Sequence, residues 1–261
     1  MIPFTYSLME ITVLGTGTSQ GVPVVACDCT VCQSTDTLDK RLRTSIMIRE
    51  NNTCVVIDAG PDFRQQLLRE NVKSLEAILI THSHRDHIGG LDDVRSFNWV
   101  QKRPMDVYAT SDVQRIIENE YSYAFEEERY PGVPNIALKM VNSQPFDIKG
   151  LRFVPIKALH AQMQVMGYRL GEFSYLTDAN QIHPEELEKM RGSKVIIINA
   201  LRKKKHPSHF NLEDAINIIQ SLAPQKAYLT HISHQMGLHV EIEKELPQNT
   251  HLAYDGLKIS I

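Results

Sequence analysis

Short runs of β-branched and aliphatic residues, each closed by Gly, Pro, Asp or a polar pair, recur from one end of the chain to the other. Buried strands read this way. The pattern predicts strands over 11–14, 45–48, 54–57 and 77–80, then 106–109, 136–141, 151–156, 165–170, 174–176, 195–198 and 226–229. A last run at 257–261 is placed to close a sheet. Helical periodicity is confined to 62–70, 111–118, 184–190 and 211–222. In the last of these Leu212, Ala215, Ile216, Ile219 and Leu222 fall on one face, Asn211 is placed to cap the helix, and Pro184 suits the first turn of the helix before it.

Strands outnumber helices, and the early ones follow each other with no helix between them. That favours two packed sheets flanked by helices, an α/β architecture. No repeat, low-complexity tract or Pro/Ser-rich linker breaks the chain, so 1–261 is expected to form a single domain. The longest stretch without periodicity, about 20–40, holds three of the four cysteines. A metal can organise such a loop where a hydrophobic core does not.

Composition narrows the classes. With 261 residues, 42% hydrophobic and 23% charged, the chain is an ordinary globular one. A formal charge of −3 gives no broad positive field, which argues against nucleic acid as a partner. Residues 1–10 lack a basic segment followed by an apolar one, and no apolar run reaches the roughly 18 residues of a membrane span. A cytoplasmic protein without a membrane partner is expected, and a homodimer is left open. Crowded cysteines in a reducing compartment point to metal rather than disulfides, whereas Cys54, inside a strand, reads as core.

The chemistry concentrates after the strand at 77–80. His82-Ser83-His84-Arg85-Asp86-His87 puts three histidines and an aspartate within six positions. A strand ending in a loop presents such side chains at a sheet edge, where imidazole and carboxylate converge on ions such as Zn(II). Further ligands are expected where other strands end: His160, Asp178 and His231 each follow an apolar run.

His82-x-His84-x-Asp86-His87 with His160, Asp178 and His231 resembles the ligand set of the metallo-β-lactamase superfamily, over nearly the whole chain. The resemblance implies a four-layer αββα sandwich with a dinuclear site at one edge of the sheets. It implies that His82, His84 and His160 hold one divalent ion, that Asp86, His87 and His231 hold the other, and that Asp178 bridges them. Two ions roughly 3.5–4 Å apart lower the pKa of a bridging water and clamp substrate oxygens. Asp86 is counted among the catalytic residues. Whether the ions are Zn or Mn is open. Asp58, in Val55-Val56-Ile57-Asp58-Ala59-Gly60, resembles the family's early Asp turn and would orient a ligand loop from behind.

His209, in His206-Pro207-Ser208-His209, resembles the extra catalytic histidine of the phosphodiesterase branch, which includes transfer-RNA 3′ processing nucleases. A histidine there can protonate a leaving alkoxide or contact a phosphoryl oxygen. Cys27-x-Cys29-x-x-Cys32 with His234 makes a Cys3His set suited to a closed structural zinc, the other reading being a reduced loop without metal. The combination looks like the phosphoribosyl cyclic phosphodiesterase branch of phosphonate breakdown. Only 17 residues separate His160 from Asp178, too few for the RNA-binding arm of the processing nucleases. His206, Arg95, Asn98 and the basic run Arg202-Lys203-Lys204-Lys205 are candidates for substrate contact. The expected activity is hydrolysis of a small phosphodiester, cyclic ones such as a phosphoribosyl 1,2-cyclic phosphate included, with two catalytic divalent ions and one structural zinc. A nuclease, a thioesterase or lactamase, and a non-hydrolytic protein like those of pyrroloquinoline quinone biosynthesis remain as alternatives.

Overall fold

The computed structural model describes residues 8–128 and 130–261. The reading of residues 1–7 as free of a leader lies outside the described residues. Two mixed sheets lie face to face with helices outside each, the expected αββα sandwich. The first contains β1 (Glu10–Gly15), β2 (Ser45–Glu50), β3 (Thr53–Ile57), β4 (Ala77–Leu79), β5 (Met105–Ala109) and β6 (Ile136–Met140). The second contains β7 (Phe146–Ile148), β8 (Leu151–His160), β9 (Met163–Leu170), β10 (Phe173–Leu176), β11 (Gln181–Ile182), β12 (Val195–Asn199), β13 (Lys226–Thr230) and β14 (Thr250–Leu252). The last strand, β15 (Lys258–Ser260), returns to pair with β1.

Helices α1 (Thr30–Gln33), α2 (Phe63–Arg69), α3 (Arg85–Ile88), α4 (Arg95–Gln101) and α5 (Ser111–Glu120) belong to the first half of the chain. The second half has α6 (Pro184–Glu188), α7 (Leu212–Leu222) and α8 (His239–Ile242). Among the described residues no helix is long and apolar enough to cross a membrane.

Each sheet is covered on both faces, so its strands are apolar on both sides of the pleat. In β2 and β3, Ile46, Ile48, Val55 and Ile57 face the other sheet, while Met47, Cys54 and Val56 pack under the outer helices. In β12, Val195 and Ile197 point inward, Ile196 and Ile198 outward. A one-residue slip would exchange these two sets, and this fixes the register. Cys54 is core, as expected.

Register in turn decides where strands end. β3, β4 and β5 run parallel, with Ile57 opposite Leu79, and β10, β12 and β13 run parallel, with Leu176, Ile198 and Leu229 abreast. The carboxyl ends of both sets therefore open on one rim. There the sheets are stitched together: Met166 N–H donates to Thr81 O at 2.9 Å and the Tyr168 hydroxyl to Ile80 O at 2.9 Å.

Beside that rim, a buried network holds the 16–44 segment. Arg41 donates to Thr16 Oγ1 and Ala253 O at 2.9 and 2.7 Å and sits 3.1 Å from His239 Nδ1. Asp255 accepts from the Thr16 hydroxyl and the Leu42 N–H, both at 2.7 Å. Burial pushes the Asp255 carboxyl up to about 6, although these donors, Arg69 and Arg41 oppose it. A folded pKa raised above the unfolded value of 3.8 means that ionisation costs stability as pH rises from about 4 to 6. Asp255→Asn lacks this cost. Urea denaturation at a series of pH values is expected to show the wild type losing up to about 3 kcal/mol relative to the variant across that window.

Candidate metal centres

The first cluster is set by the junction after β4. Thr81 N–H donates to Asp58 Oδ1 at 2.8 Å, and the Thr81 hydroxyl lies 2.9 Å from Oδ2. The same Asp58 Oδ2 accepts from His87 Nδ1 at 2.7 Å, so His87 turns Nε2 toward Asp86 at 3.3 Å and Asp178 at 3.2 Å. Asp58 thus stands behind His87, on the side away from Asp86 and Asp178. Burial raises its pKa even with His87 beside it.

Asp58, Asp178 and His231 have left-handed backbone, with φ of 67°, 61° and 53°. Each lies one or two residues past the end of β3, β10 or β13, where the abrupt turn swings the side chain over the rim. Such a residue costs about 1–3 kcal/mol and persists where its surroundings hold it.

The remaining histidines join from both sheets. His82 Nε2 is 3.1 Å from His84 Nδ1 and 3.6 Å from Asp178 Oδ2. The His160 ring centre is 5.0 Å from that of His84, and His160 Nδ1 donates to Ser208 O at 2.7 Å, which leaves Nε2 for the cluster. His231 Nε2 is 3.1 Å from Asp178 and 3.7 Å from Asp86. The structure therefore brings together all seven residues proposed from the sequence as ligands of the dinuclear site.

Charge and hydrogen bonding suit cations here. Burial would raise Asp86 and Asp178, yet the neighbouring His87 and His231 hold both well below the usual carboxylate range. Burial would lower His231, but Asp178 and Asp86 outweigh it and lift it to about 9. His82 is driven well down by burial and His87, and His160 down to about 4 by burial and His209, so both favour the neutral imidazole a metal needs. Neither ring nitrogen of the fully buried His231 makes a hydrogen bond despite its nearness to Asp178. A buried polar group without a partner calls for an explanation. Asp86, His87, Asp178 and His231 each offer an atom within 4.8 Å of the others, which a divalent cation would satisfy. Tetrahedral zinc places two imidazole nitrogens about 3.3 Å apart, close to the His82–His84 spacing.

The second cluster lies in the 20–40 loop. The sulfurs of Cys27, Cys29 and Cys32 are 3.2, 3.4 and 3.5 Å from His234 Nδ1. A tetrahedral zinc with Zn–S and Zn–N bonds of ordinary length sets S···N at about 3.5 Å, so this Cys3His set can hold one. The Cys32 backbone N–H lowers the Cys29 thiol to about 6, while burial raises Cys32 to about 11.

His209 comes from the segment between β12 and α7. Phe210 is buried and its N–H donates to Ala179 O at 2.7 Å, while Asn211 and Asp214 form a capping box at the start of α7. This anchors the His209 ring flat against His231, with centres 4.9 Å apart and Nε2 3.6 Å from Asp178 Oδ2. Burial lowers its pKa. The His206 ring is 5.1 Å further out.

Three candidates for substrate contact are otherwise engaged. Arg95 pairs with Asp92 at 3.1 Å, and Asn98 donates to the backbone carbonyls of Arg103 and Asn135, both at 3.0 Å. In the basic run, Arg202 bonds its own loop and Gln235, and Lys203 pairs with Glu245. Sequence reasoning missed Thr81 and Ser208. The first orients Asp58, while the second offers its carbonyl to His160 and its hydroxyl, at 3.0 Å, to His209 Nδ1.

Comparison with known proteins identifies the family. The family described as "Beta-lactamase superfamily domain" matches residues 53–232. An octanoyltransferase of Porphyromonas gingivalis is 41% identical over 256 residues, 97% of this chain and 52% of that protein. A ribonuclease Z of Limosilactobacillus reuteri is 28% identical over 57% of this chain and 47% of its own length. The chain thus spans about half the length of these curated relatives. Among solved structures, a "new diphosphatase from the PhnP family" has a TM-score of 0.92 and 38% identity, with 97% of each chain covered. Zinc-bound PqqB of Methylobacterium extorquens, at 16% identity and a TM-score of 0.79 over 97% of this chain and 100% of its own, shares the fold.

Two substitutions probe the centres. A Cβ at Gly60 would fall well inside contact distance of the Asp86 backbone carbonyl. Gly60→Ala is therefore expected to cost about 1–3 kcal/mol in urea denaturation and to weaken divalent-ion binding in a competitive chelator titration, because relief must displace the His82–His87 loop. For Cys29→Ser, elemental analysis should find one zinc fewer per chain, with a lower melting temperature and hydrolytic chemistry retained.

Proposed function

The chain belongs to the β-lactamase superfamily domain family, in its PhnP branch, and from that premise we propose that it is a metal-dependent hydrolase of small phosphodiesters or diphosphate esters. The observation that carries the reading is His209, stacked on His231 with Nε2 directed at the same carboxylate as the ligand histidines.

The fold implies divalent metals, and the residues present fit them. His82, His84 and His160 would hold one ion and Asp86, His87 and His231 the other, with Asp178 between them. Bound there, they would supply Lewis-acid polarisation of phosphoryl oxygens and a water of lowered pKa. Zn or Mn would serve. We assign a structural zinc to Cys27, Cys29, Cys32 and His234.

The chain's own groups do the positioning. Asp58 fixes the His87 tautomer and Ser208 O that of His160, so each presents Nε2 without rearrangement. His209 holds a proton at Nε2 on the open side of the cluster, and the charge of an arriving phosphate favours its imidazolium form. From there it can protonate the oxygen that leaves. His206, partly exposed beside it, is a candidate for substrate contact, and Arg95 is another.

The topology supports a small substrate. Between His160 and Asp178 the chain makes only the β8–β9 and β9–β10 hairpins, with turns at 161–162 and 171–172. No arm is inserted there, which disfavours the nuclease reading in spite of the ribonuclease Z relatives. The solved neighbour's description as a diphosphatase is the reason for including diphosphate esters. The name octanoyltransferase belongs to a protein about twice as long and is not carried over.

The test is a substrate panel on metal-loaded protein: a ribosyl cyclic phosphate, a dinucleoside diphosphate, bis(p-nitrophenyl) phosphate, a precursor transfer RNA and a thioester. Turnover of the small phosphoesters, with transfer RNA and thioester untouched, is expected; the reverse sinks the reading. His209→Ala should lower kcat on substrates with a poor alkoxide leaving group by about 100-fold or more, and much less on p-nitrophenyl esters, if it acts as the acid. Equal losses on both would reassign His209 to a phosphoryl oxygen.

A further inference from the structure

The chain between β12 and α7, which carries His206 and His209, has no helix or strand of its own. A segment without a backbone ladder keeps one conformation only where neighbouring groups satisfy its polar atoms. Bonds to the rim of the second sheet flank His209 on both sides. Phe210 N–H donates to Ala179 O at 2.7 Å, Ser208 O accepts from His160 Nδ1 at 2.7 Å, and Pro207 O accepts from Asn180 Nδ2 at 3.1 Å.

Asn180 reaches two elements at once. It stands shortly after Asp178, fixed by its own N–H, which donates to Leu159 O at 2.8 Å. Its Oδ1 accepts from Ala161 N–H at 2.7 Å, and Ala161 is the left-handed residue, with φ of 54°, on which the chain turns after His160. Nδ2 reaches the other way, to Pro207 O. Only one orientation of the amide satisfies both, because a flipped amide sets N–H against N–H and oxygen against oxygen. The residue before it is held as firmly: the fully buried Asn199 accepts from Ala179 N–H at 2.9 Å and donates to Ala179 O at 3.0 Å. The turn after His160 and the segment bearing His209 therefore meet at one partly exposed side chain, anchored beside Asp178.

We propose that Asn180 is a positioning residue of the hydrolytic site: its amide spans from the turn after His160 to Pro207 O and thereby sets where His209 stands over Asp178. The assignment rests on the reading of His209 as the group that protonates the leaving oxygen. Asn180 acts through Pro207 and Ala161, and its amide neither gives nor takes a proton in the reaction. Proton transfer needs donor and acceptor within hydrogen-bond reach, so a shift of His209 by about 1 Å costs up to about 100-fold. Departure of a p-nitrophenolate needs little proton donation and is spared.

The test compares metal-loaded Asn180→Ala, Asn180→Asp and His209→Ala with the wild type. The aspartate keeps an acceptor for Ala161 N–H and loses the donor to Pro207 O, so it isolates the arm that holds the His209 segment. Both Asn180 variants should lower kcat on a ribosyl cyclic phosphate by about 10–100-fold and on bis(p-nitrophenyl) phosphate by less than about threefold. Elemental analysis should find the divalent-ion content of the wild type in each. The charge that aspartate adds raises KM for both anionic substrates alike, and the split between kcat and KM separates it. Independently of activity, hydrogen exchange read by mass spectrometry should quicken in peptides covering 206–211 and stay unchanged in β10 and β12. The assignment alone is overturned if Asn180→Asp keeps the wild-type kcat, if exchange at 206–211 is unaltered, or if His209→Ala shows the leaving-group difference and the Asn180 variants do not. A wild type that hydrolyses neither phosphoester, or a His209→Ala variant with equal losses on both, sinks the acid reading and the assignment with it.

Discussion

Three carboxylates and three imidazoles share one volume that water barely reaches: Asp58, Asp86 and Asp178 with His82, His87 and His231 are each no more than 8% exposed. Ionised groups taken out of water this way cost several kcal/mol each unless opposite charge compensates them. Their protonation partly balances within the cluster, with His87 and His231 raised and Asp86 and Asp178 lowered. His231, buried with both ring nitrogens lacking hydrogen bonds, is where that internal balance falls short. Divalent cations would supply the deficit, and ion binding would then contribute directly to folding stability. Everything around the rim, from the three left-handed residues to the inter-sheet bonds of Thr81 and Ile80, serves to keep these groups from moving apart.

This constraint explains why so much of the cluster was legible in the sequence. Because parallel strands end in step, a polar residue just past an apolar run is a candidate for the shared rim, and His82, Asp178 and His231 each follow such a run. Thr81 and Ser208 gave no such signal. Thr81 acts by joining Asp58 to the ligand loop, and Ser208 acts largely through a main-chain carbonyl that any residue could offer. Arg95 and Asn98 read as substrate contacts from charge and polarity alone, and what the sequence does not show is their pairing with Asp92 and with the backbone of Arg103 and Asn135.

The fold itself followed from alternation. Ile46, Met47 and Ile48 divide between the two faces of β2, a pattern that two covered faces require. What escaped were elements too short to show a period, the strands β7, β11 and β14 and the four-residue helices α1, α3 and α8, and the longer helix α4, whose Arg-Ser-Phe-Asn-Trp-Val-Gln turns only Phe97 fully inward. That sparse inward face leaves Trp99 and Val100 exposed. An element with weak periodicity is one whose apolar residues are not all spent on the core.

The turn after β13 ties the two candidate metal clusters mechanically. His231 faces Asp178 and Asp86, and His234, three residues on, the cysteines. Between them, Ile232 N–H donates to Thr16 O at 2.8 Å and Ser233 N–H to Leu201 O at 3.0 Å. Thr16 is held by Arg41, and Leu201 opens the segment that ends in His209. Four residues thus connect the cysteine loop, the Arg41 network, the rim of the second sheet and the segment bearing His209. A zinc on the Cys3His set would act at a distance from the reacting atoms, by fixing the far end of the turn on which His231 stands. Loss of that anchor would remove one support of the turn and lower stability, while the bonds of Ile232 and Ser233 and that of the His231 N–H to Thr44 Oγ1 would still hold His231 beside Asp178.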